Sequence, residues 1–163
     1  QFRYGRSSVT RNPIRRIKLM KKQYDFKTDR FYNSNHLWIK ENDSGQVTVG
    51  MDELGLDSLG EMAYLTLPDV GTVVAIGEAM GTMEAAKMTG ELYAPVSGIV
   101  VKKNDTVLQN PLLVNEEPYD NGWLVKIDPT NWEDDAVGMV TGNDLSKWVD
   151  VEIERFQTQG ILG

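Results

Sequence analysis

Gly81-Thr82-Met83-Glu84-Ala85-Ala86-Lys87-Met88-Thr89-Gly90-Glu91-Leu92-Tyr93-Ala94-Pro95-Val96-Ser97-Gly98 sets a single lysine midway between two strand-like runs. Ala79–Glu84 and Glu91–Ala94 read as strands, Thr89-Gly90 supplies a turn between them, and Pro95 with Gly98 brackets the next bend. The pattern predicts a hairpin whose tip spans Glu84–Gly90 and whose Lys87 amine projects into water. Ala85, Ala86 and Gly90 are small and leave that amine open to a modifying enzyme. A turn lysine on its own is a solvated surface charge, so the surroundings must decide whether this one does more.

On the N-terminal side, Leu37–Ile39 and Gln46–Gly50 flank the polar stretch Asn42-Asp43-Ser44-Gly45, a second hairpin signal. Met51–Gly60 carries apolar residues at 51, 54, 56 and 59, which fits a short helix stopped by Gly60. Ala63–Leu67 is a strand halted by Pro68. On the C-terminal side, Ile99–Lys102 and Trp123–Ile127 are strands separated by a polar loop over 103–122, which gives about seven strands. The period then lengthens. Thr130-x-x-Glu133 has the form of a capping box ahead of Trp132, Ala136, Val137 and Val140, and Asp144 is placed to cap a last helix bearing Leu145, Trp148, Val149, Glu152 and Phe156. Trp38, Trp123, Trp132 and Trp148 stand among apolar neighbours and are expected in the core.

Composition narrows the function classes. The 163 residues include one histidine and no cysteine, which leaves little for acid–base, thiolate or histidine-metal chemistry. Any working chemistry is therefore expected to come from an attached group. No run approaches the ~20 apolar residues of a membrane span, so no membrane role is expected. Residues 1–22 hold eight of the 17 basic residues and no acid, leaving nine basic against 24 acidic residues in the body. A body so acidic argues against nucleic acid as a partner and suits basic protein surfaces. The basic extension 1–22 reads as a tag, a transit peptide or an unstructured leader, with residues 23–163 forming one domain. Met20 is a possible natural start.

The stretch from about Asn35 to Phe156 resembles the glycine cleavage system H protein family, lipoyl carriers of the biotinyl/lipoyl-carrier superfamily. Gln46-Val47-Thr48-Val49-Gly50 is similar to that family's T-V-G-I strand, and Leu59-Gly60-Glu61 and Leu67-Pro68-Asp69-Val70-Gly71 to its L-G-D and L-P-x-V-G segments. Glu84-x-x-Lys87 falls where the family reads E-S-V-K, followed by the matching Tyr93-Ala94-Pro95-Val96-Ser97-Gly98. Leu113-Val114-Asn115-Glu116-Glu117-Pro118-Tyr119 and Gly122-Trp123-Leu124-Val125-Lys126-Ile127 resemble a further signature that simple lipoyl or biotinyl domains lack.

The resemblance implies a mainly β fold, a biotinyl/lipoyl-carrier-type hybrid barrel-sandwich with short flanking helices and a C-terminal helical segment. It implies lipoic acid carried covalently on Lys87 as N6-lipoyllysine, with no catalytic residue in the carrier itself. It further implies the partners: a pyridoxal-phosphate glycine decarboxylase, an aminomethyltransferase, dihydrolipoamide dehydrogenase and a lipoate-attaching enzyme. A cytoplasmic location follows, or the mitochondrial matrix if the leader is a transit peptide. Glu84 is a candidate recognition residue for the attaching enzyme, and His36 a candidate contact for the resting arm or a structural residue.

Two departures leave alternatives open. The chain reads His36-Leu37-Trp38 where the family commonly has H-E-W, and Glu84-Ala85-Ala86-Lys87-Met88 leans towards the E-A-M-K-M of biotin carriers. The alternatives are a biotin carrier, an H-like protein carrying sulfur for a heterodisulfide-reductase-like complex, a lipoate donor and an unmodified scaffold.

Overall fold

The computed structural model describes residues 12–15 and 24–162; residues 1–11 and 16–22 of the expected basic extension lie outside them. The described residues form two antiparallel sheets packed face to face. One sheet contains, in spatial order, β1 (Phe31–Tyr32), β2 (Leu37–Glu41), β3 (Val47–Met51), β9 (Val125–Pro129), β8 (Gly98–Lys103) and β5 (Val73–Val74). The other contains β4 (Met62–Thr66), β6 (Ala79–Ala85) and β7 (Thr89–Tyr93). Five short helices flank them: α1 (Glu53–Leu59), α2 (Asp105–Gln109), α3 (Leu113–Glu116), α4 (Trp132–Ala136) and α5 (Leu145–Thr158). The expected mainly β sandwich with flanking helices is therefore the observed architecture.

Period-2 alternation places the core. Val47 and Val49 of β3, Val125 and Ile127 of β9, and Val100 of β8 face Leu65, Met83 and Leu92 of the second sheet. Each of these side chains, fully buried, is worth about 1.5–3 kcal/mol of hydrophobic stabilisation. β2 is buried on both faces: Leu37 and Ile39 enter the sandwich, while Trp38 between them enters a second cluster with Tyr119, Leu54 and the apolar stripe of α5. Gly50 is required opposite Trp38, because a Cβ there would lie 2.3 Å from the indole ring.

Several elements depart from the sequence expectation. Among the described residues nine strands form where about seven were expected, since β1 and β5 have two residues each and no readable period. Both are held from outside: Tyr32 exchanges 2.9 Å backbone hydrogen bonds with Val140, and Gly71 and Thr72 bond the two sides of Val100. The stretch 103–122 is not a plain loop but contains α2 and α3. Its organiser is Asn104, whose Oδ1 accepts from the Thr106 N–H while its Nδ2 donates to the carbonyls of Asn121 and Trp123. The Thr130/Glu133 capping box does not form; Asn131 occupies the cap position, and the Thr130 hydroxyl donates to Ser97. Asp144 does precede the last helix, as the final residue of a 3-10 turn, but caps it with no side-chain bond. Of the four tryptophans, Trp38 is fully buried; Trp123, Trp132 and Trp148 are half-buried at the edges of the two clusters.

Candidate functional site

The β6–β7 hairpin pairs Thr82 with Glu91, Met83 with Gly90 and Glu84 with Thr89, and the Ala85 N–H donates to the Met88 carbonyl to close the tip. Lys87 stands exposed at that tip. Hairpin tips are ordinarily mobile, and this one is braced. The Ala86 N–H donates to the Glu61 carbonyl and the Lys87 N–H to the Leu59 carbonyl, both at 2.9 Å. Gly60, which ends α1, makes the approach possible: its φ of +85° and lack of a side chain let the backbone sit where a Cβ would be 3.2 Å from both Ala86 and Lys87. Asn115 of α3 clamps the same bend, donating to the Gly60 carbonyl and accepting from the Met62 N–H.

The Lys87 amine donates to the main-chain carbonyl of Asp57 at 2.9 Å. The Asp57 carboxylate is itself taken by the Tyr24 hydroxyl at 2.6 Å. The amine thus has a neutral acceptor and no ion pair among the described residues, so little is lost when it is acylated. Glu84 is exposed three residues before it, with no side-chain hydrogen bond or ion pair among the described residues.

Beside the hairpin lies a cavity of about 270 Å³. Leu37, Met51, Leu59, Met83, Leu92 and Phe156 give it an apolar, thioether-rich wall. Met88, next to Lys87, and Glu91 reach it from the hairpin, and His36 and Arg155 from the far side. Such a lining suits a flexible, polarisable, uncharged guest.

His36 takes part in a buried relay. It is 2% exposed, its Nδ1 lies 2.8 Å from Asp52 and its Nε2 2.8 Å from Glu152. Asp52 also caps α1 by accepting from the Gly55 N–H, and Glu152 is gripped by Arg155 at 2.7 and 3.0 Å. Burial alone would lower the imidazole pKa, but the two carboxylates outweigh it and raise it to about 9. Burial pushes the Asp52 carboxyl up against the pull of His36. Burial also acts to raise Glu152, but hydrogen bonds from His36 and Arg155 overcome it and hold the carboxyl down at about 2. The imidazole stacks on Trp148, ring centres 5.1 Å apart, and meets Phe156 edge-on at 4.9 Å.

The geometry thus brings His36 to the same cavity as the hairpin, with both ring nitrogens already engaged, and sets Glu84 and Lys87 on the exposed tip. Asp52, Glu152 and Arg155 were not read from sequence as site residues. The available signal was Glu152, a carboxylate inside the apolar stripe of the last helix, in a chain with a single histidine to answer it.

Comparison with known proteins matches residues 30–152 to the family described as glycine cleavage H-protein. The chain is 36% identical over 122 residues to the glycine cleavage system H protein of Listeria monocytogenes serotype 4b (strain CLIP80459), covering 75% of this chain and 96% of that one. It is 39% identical over 127 residues to the probable glycine cleavage system H protein of Thermococcus kodakarensis, covering 78% and 94%. Among solved structures, a glycine cleavage system H protein from Mycobacterium marinum superposes with a TM-score of 0.66 at 32% identity, covering 76% of this chain and 98% of that one.

Proposed function

Because this chain belongs to the glycine cleavage H-protein family, we propose that it works as the lipoyl carrier of a glycine cleavage system with Lys87 as the attachment residue. The carrying observation is the exposed Lys87 amine on a hairpin braced by α1, unpaired by any carboxylate among the described residues and set beside an apolar, thioether-lined cavity. When attached, the lipoyl group supplies a disulfide/dithiol couple that takes up and gives up a one-carbon amine unit. The chain's own residues do the rest. Gly60, Asn115 and the Leu59 and Glu61 carbonyls hold the post rigid, so that a long arm sweeps several active sites at high effective concentration. Leu37, Met83, Leu92 and Phe156 would hold the arm between visits, shielding it from water, and Glu91 is the acidic side chain at the cavity. Glu84, which has no ion pair among the described residues, offers the attaching enzyme a carboxylate three residues before the amine.

This reading makes the protein a non-catalytic component, partnered by the decarboxylase, the aminomethyltransferase, the dihydrolipoamide dehydrogenase and a lipoate-attaching enzyme. Among the described residues no helix is long and apolar enough to cross a membrane, and the bacterial and archaeal relatives support a cytoplasmic place. The glycine cleavage names of these relatives favour that pathway over sulfur carriage, lipoate relay, biotin carriage or an unmodified scaffold. Reconstitution tests the proposal: lipoylated protein, mixed with the three other cleavage enzymes, should support glycine-dependent NADH formation, and Lys87→Arg should not. No turnover from verified lipoylated wild type would remove the pathway assignment, and lipoate found on another lysine would remove the site.

A further inference from the structure

We propose that the buried relay Asp52–His36–Glu152–Arg155 is the latch that sets α5 as one wall of the arm cavity, which makes His36 and Glu152 positioning residues for the carrier arm. The inference rests on the reading of that cavity as the arm's resting place.

The relay joins three elements far apart in sequence. Asp52 divides its oxygens between the α1 N-terminus and His36 Nδ1; Glu152, a full 116 residues from His36, spends both of its own on His36 Nε2 and Arg155. His36 is held at φ +61°, the one non-glycine residue with positive φ among those described. A conformation of that kind costs about 1–3 kcal/mol and persists only when its surroundings over-determine it. Here they do: the His36 N–H donates to Asn33, its carbonyl accepts from Asp52, and both ring nitrogens are bonded.

What the relay fixes is the wall. Arg155 and Phe156 follow Glu152 by one turn and line the cavity, as does Ile161 just beyond the helix. The first half of α5 has its own anchors in Leu145 and Val149, so it stays docked without the relay. The second half has Ile153 and Phe156, and there the loss of Glu152 would leave the buried His36 Nε2–H without an acceptor and Arg155 without its carboxylate. Loosening is therefore confined to the turns that face the arm.

Among the described residues, the titratable and charged groups facing His36 are Asp52 from the α1 N-terminus and Glu152, itself held by Arg155, from α5. The phenols of Tyr32 and Tyr119, held protonated by burial well above their ordinary range, also feel the Asp52 charge. Acylated Lys87 carries no charge, so it adds no titration of its own.

The test uses the full chain, lipoylated and verified by intact mass. Reduction of its dithiolane by a water-soluble phosphine is followed against free lipoamide, with hydrogen exchange over residues 149–158 measured in parallel. Wild type should react about tenfold more slowly than free lipoamide, which corresponds to about 1.4 kcal/mol of preference for the sheltered arm. Glu152→Ala should approach the free rate with faster exchange in the second half of α5, and Glu152→Gln, which keeps an acceptor for His36, should fall between them. Protection in wild type should fade as pH rises through about 9, where His36 loses its proton, and Glu152→Ala should lack that step. Faster exchange in Glu152→Ala with unchanged shelter would overturn the latch while leaving the resting place standing. Wild type reacting at the free rate would overturn the resting place and the latch with it.

Discussion

Gly50 and Trp38 show how little freedom single positions have here. The indole fills the space where a Gly50 side chain would be, its Nε1–H donates to the Pro118 carbonyl at 3.0 Å, and the Arg30 guanidinium lies 4.6 Å from the ring centre. Gly50→Ala should cost about 1–3 kcal/mol through overpacking, read as a lower urea midpoint with an unchanged slope. Asp52→Asn keeps a good helix cap but removes the charge opposite His36; breaking a buried pair in this way should cost about 3 kcal/mol. The same relay sets a pH dependence. The folded His36 pKa of about 9 lies above its ordinary 6.5, so its contribution is complete below 6.5 and is lost as pH rises through about 9. Urea midpoints of wild type should therefore fall across that alkaline window. In Glu152→Gln the fall should be smaller and end at lower pH, and a pH-independent midpoint in wild type would refute the relay as described.

At the level of elements, legibility followed period and punctuation. The β6–β7 hairpin, the β2–β3 hairpin and α1 with its Gly60 stop were readable, because each is long enough to show alternation or a helical stripe; but Thr89 and Gly90, expected as the turn of the first, open β7, and the turn lies at Ala86 and Lys87. β1, β5, α2 and α3 were not, because two to five residues carry no period and their order comes from partners distant in sequence. The 103–122 stretch depends on one side chain, since Asn104 makes three bonds to backbone groups from a 5% exposed position. Asn104→Ala strands two part-buried carbonyls and a helix N–H at once and should cost about 1–3 kcal/mol, with hydrogen exchange rising first in α2 and α3. Exchange rising uniformly would place the organising contact elsewhere. The candidate site was legible in the same uneven way. Lys87 and Glu84 could be read from the hairpin and the resemblance, whereas the His36–Glu152 contact needed the chain ends folded together.

For the whole molecule, the sandwich acts as a mount. Two sheets and their core fix the direction of one hairpin, α1 and α3 brace its tip, and α5 closes a cavity beside it. No buried catalytic constellation is needed for such a device, which agrees with a chain holding one histidine and no cysteine. The central claim is that Lys87 carries the working group, and intact mass measured after expression with a lipoylating system, supplied with both lipoate and biotin, tests it most directly. The account predicts one lipoyl increment, located at Lys87 by peptide mapping and absent from a folded Lys87→Ala variant. An unmodified wild type beside a control carrier that is modified, or a biotinyl increment in its place, would contradict it.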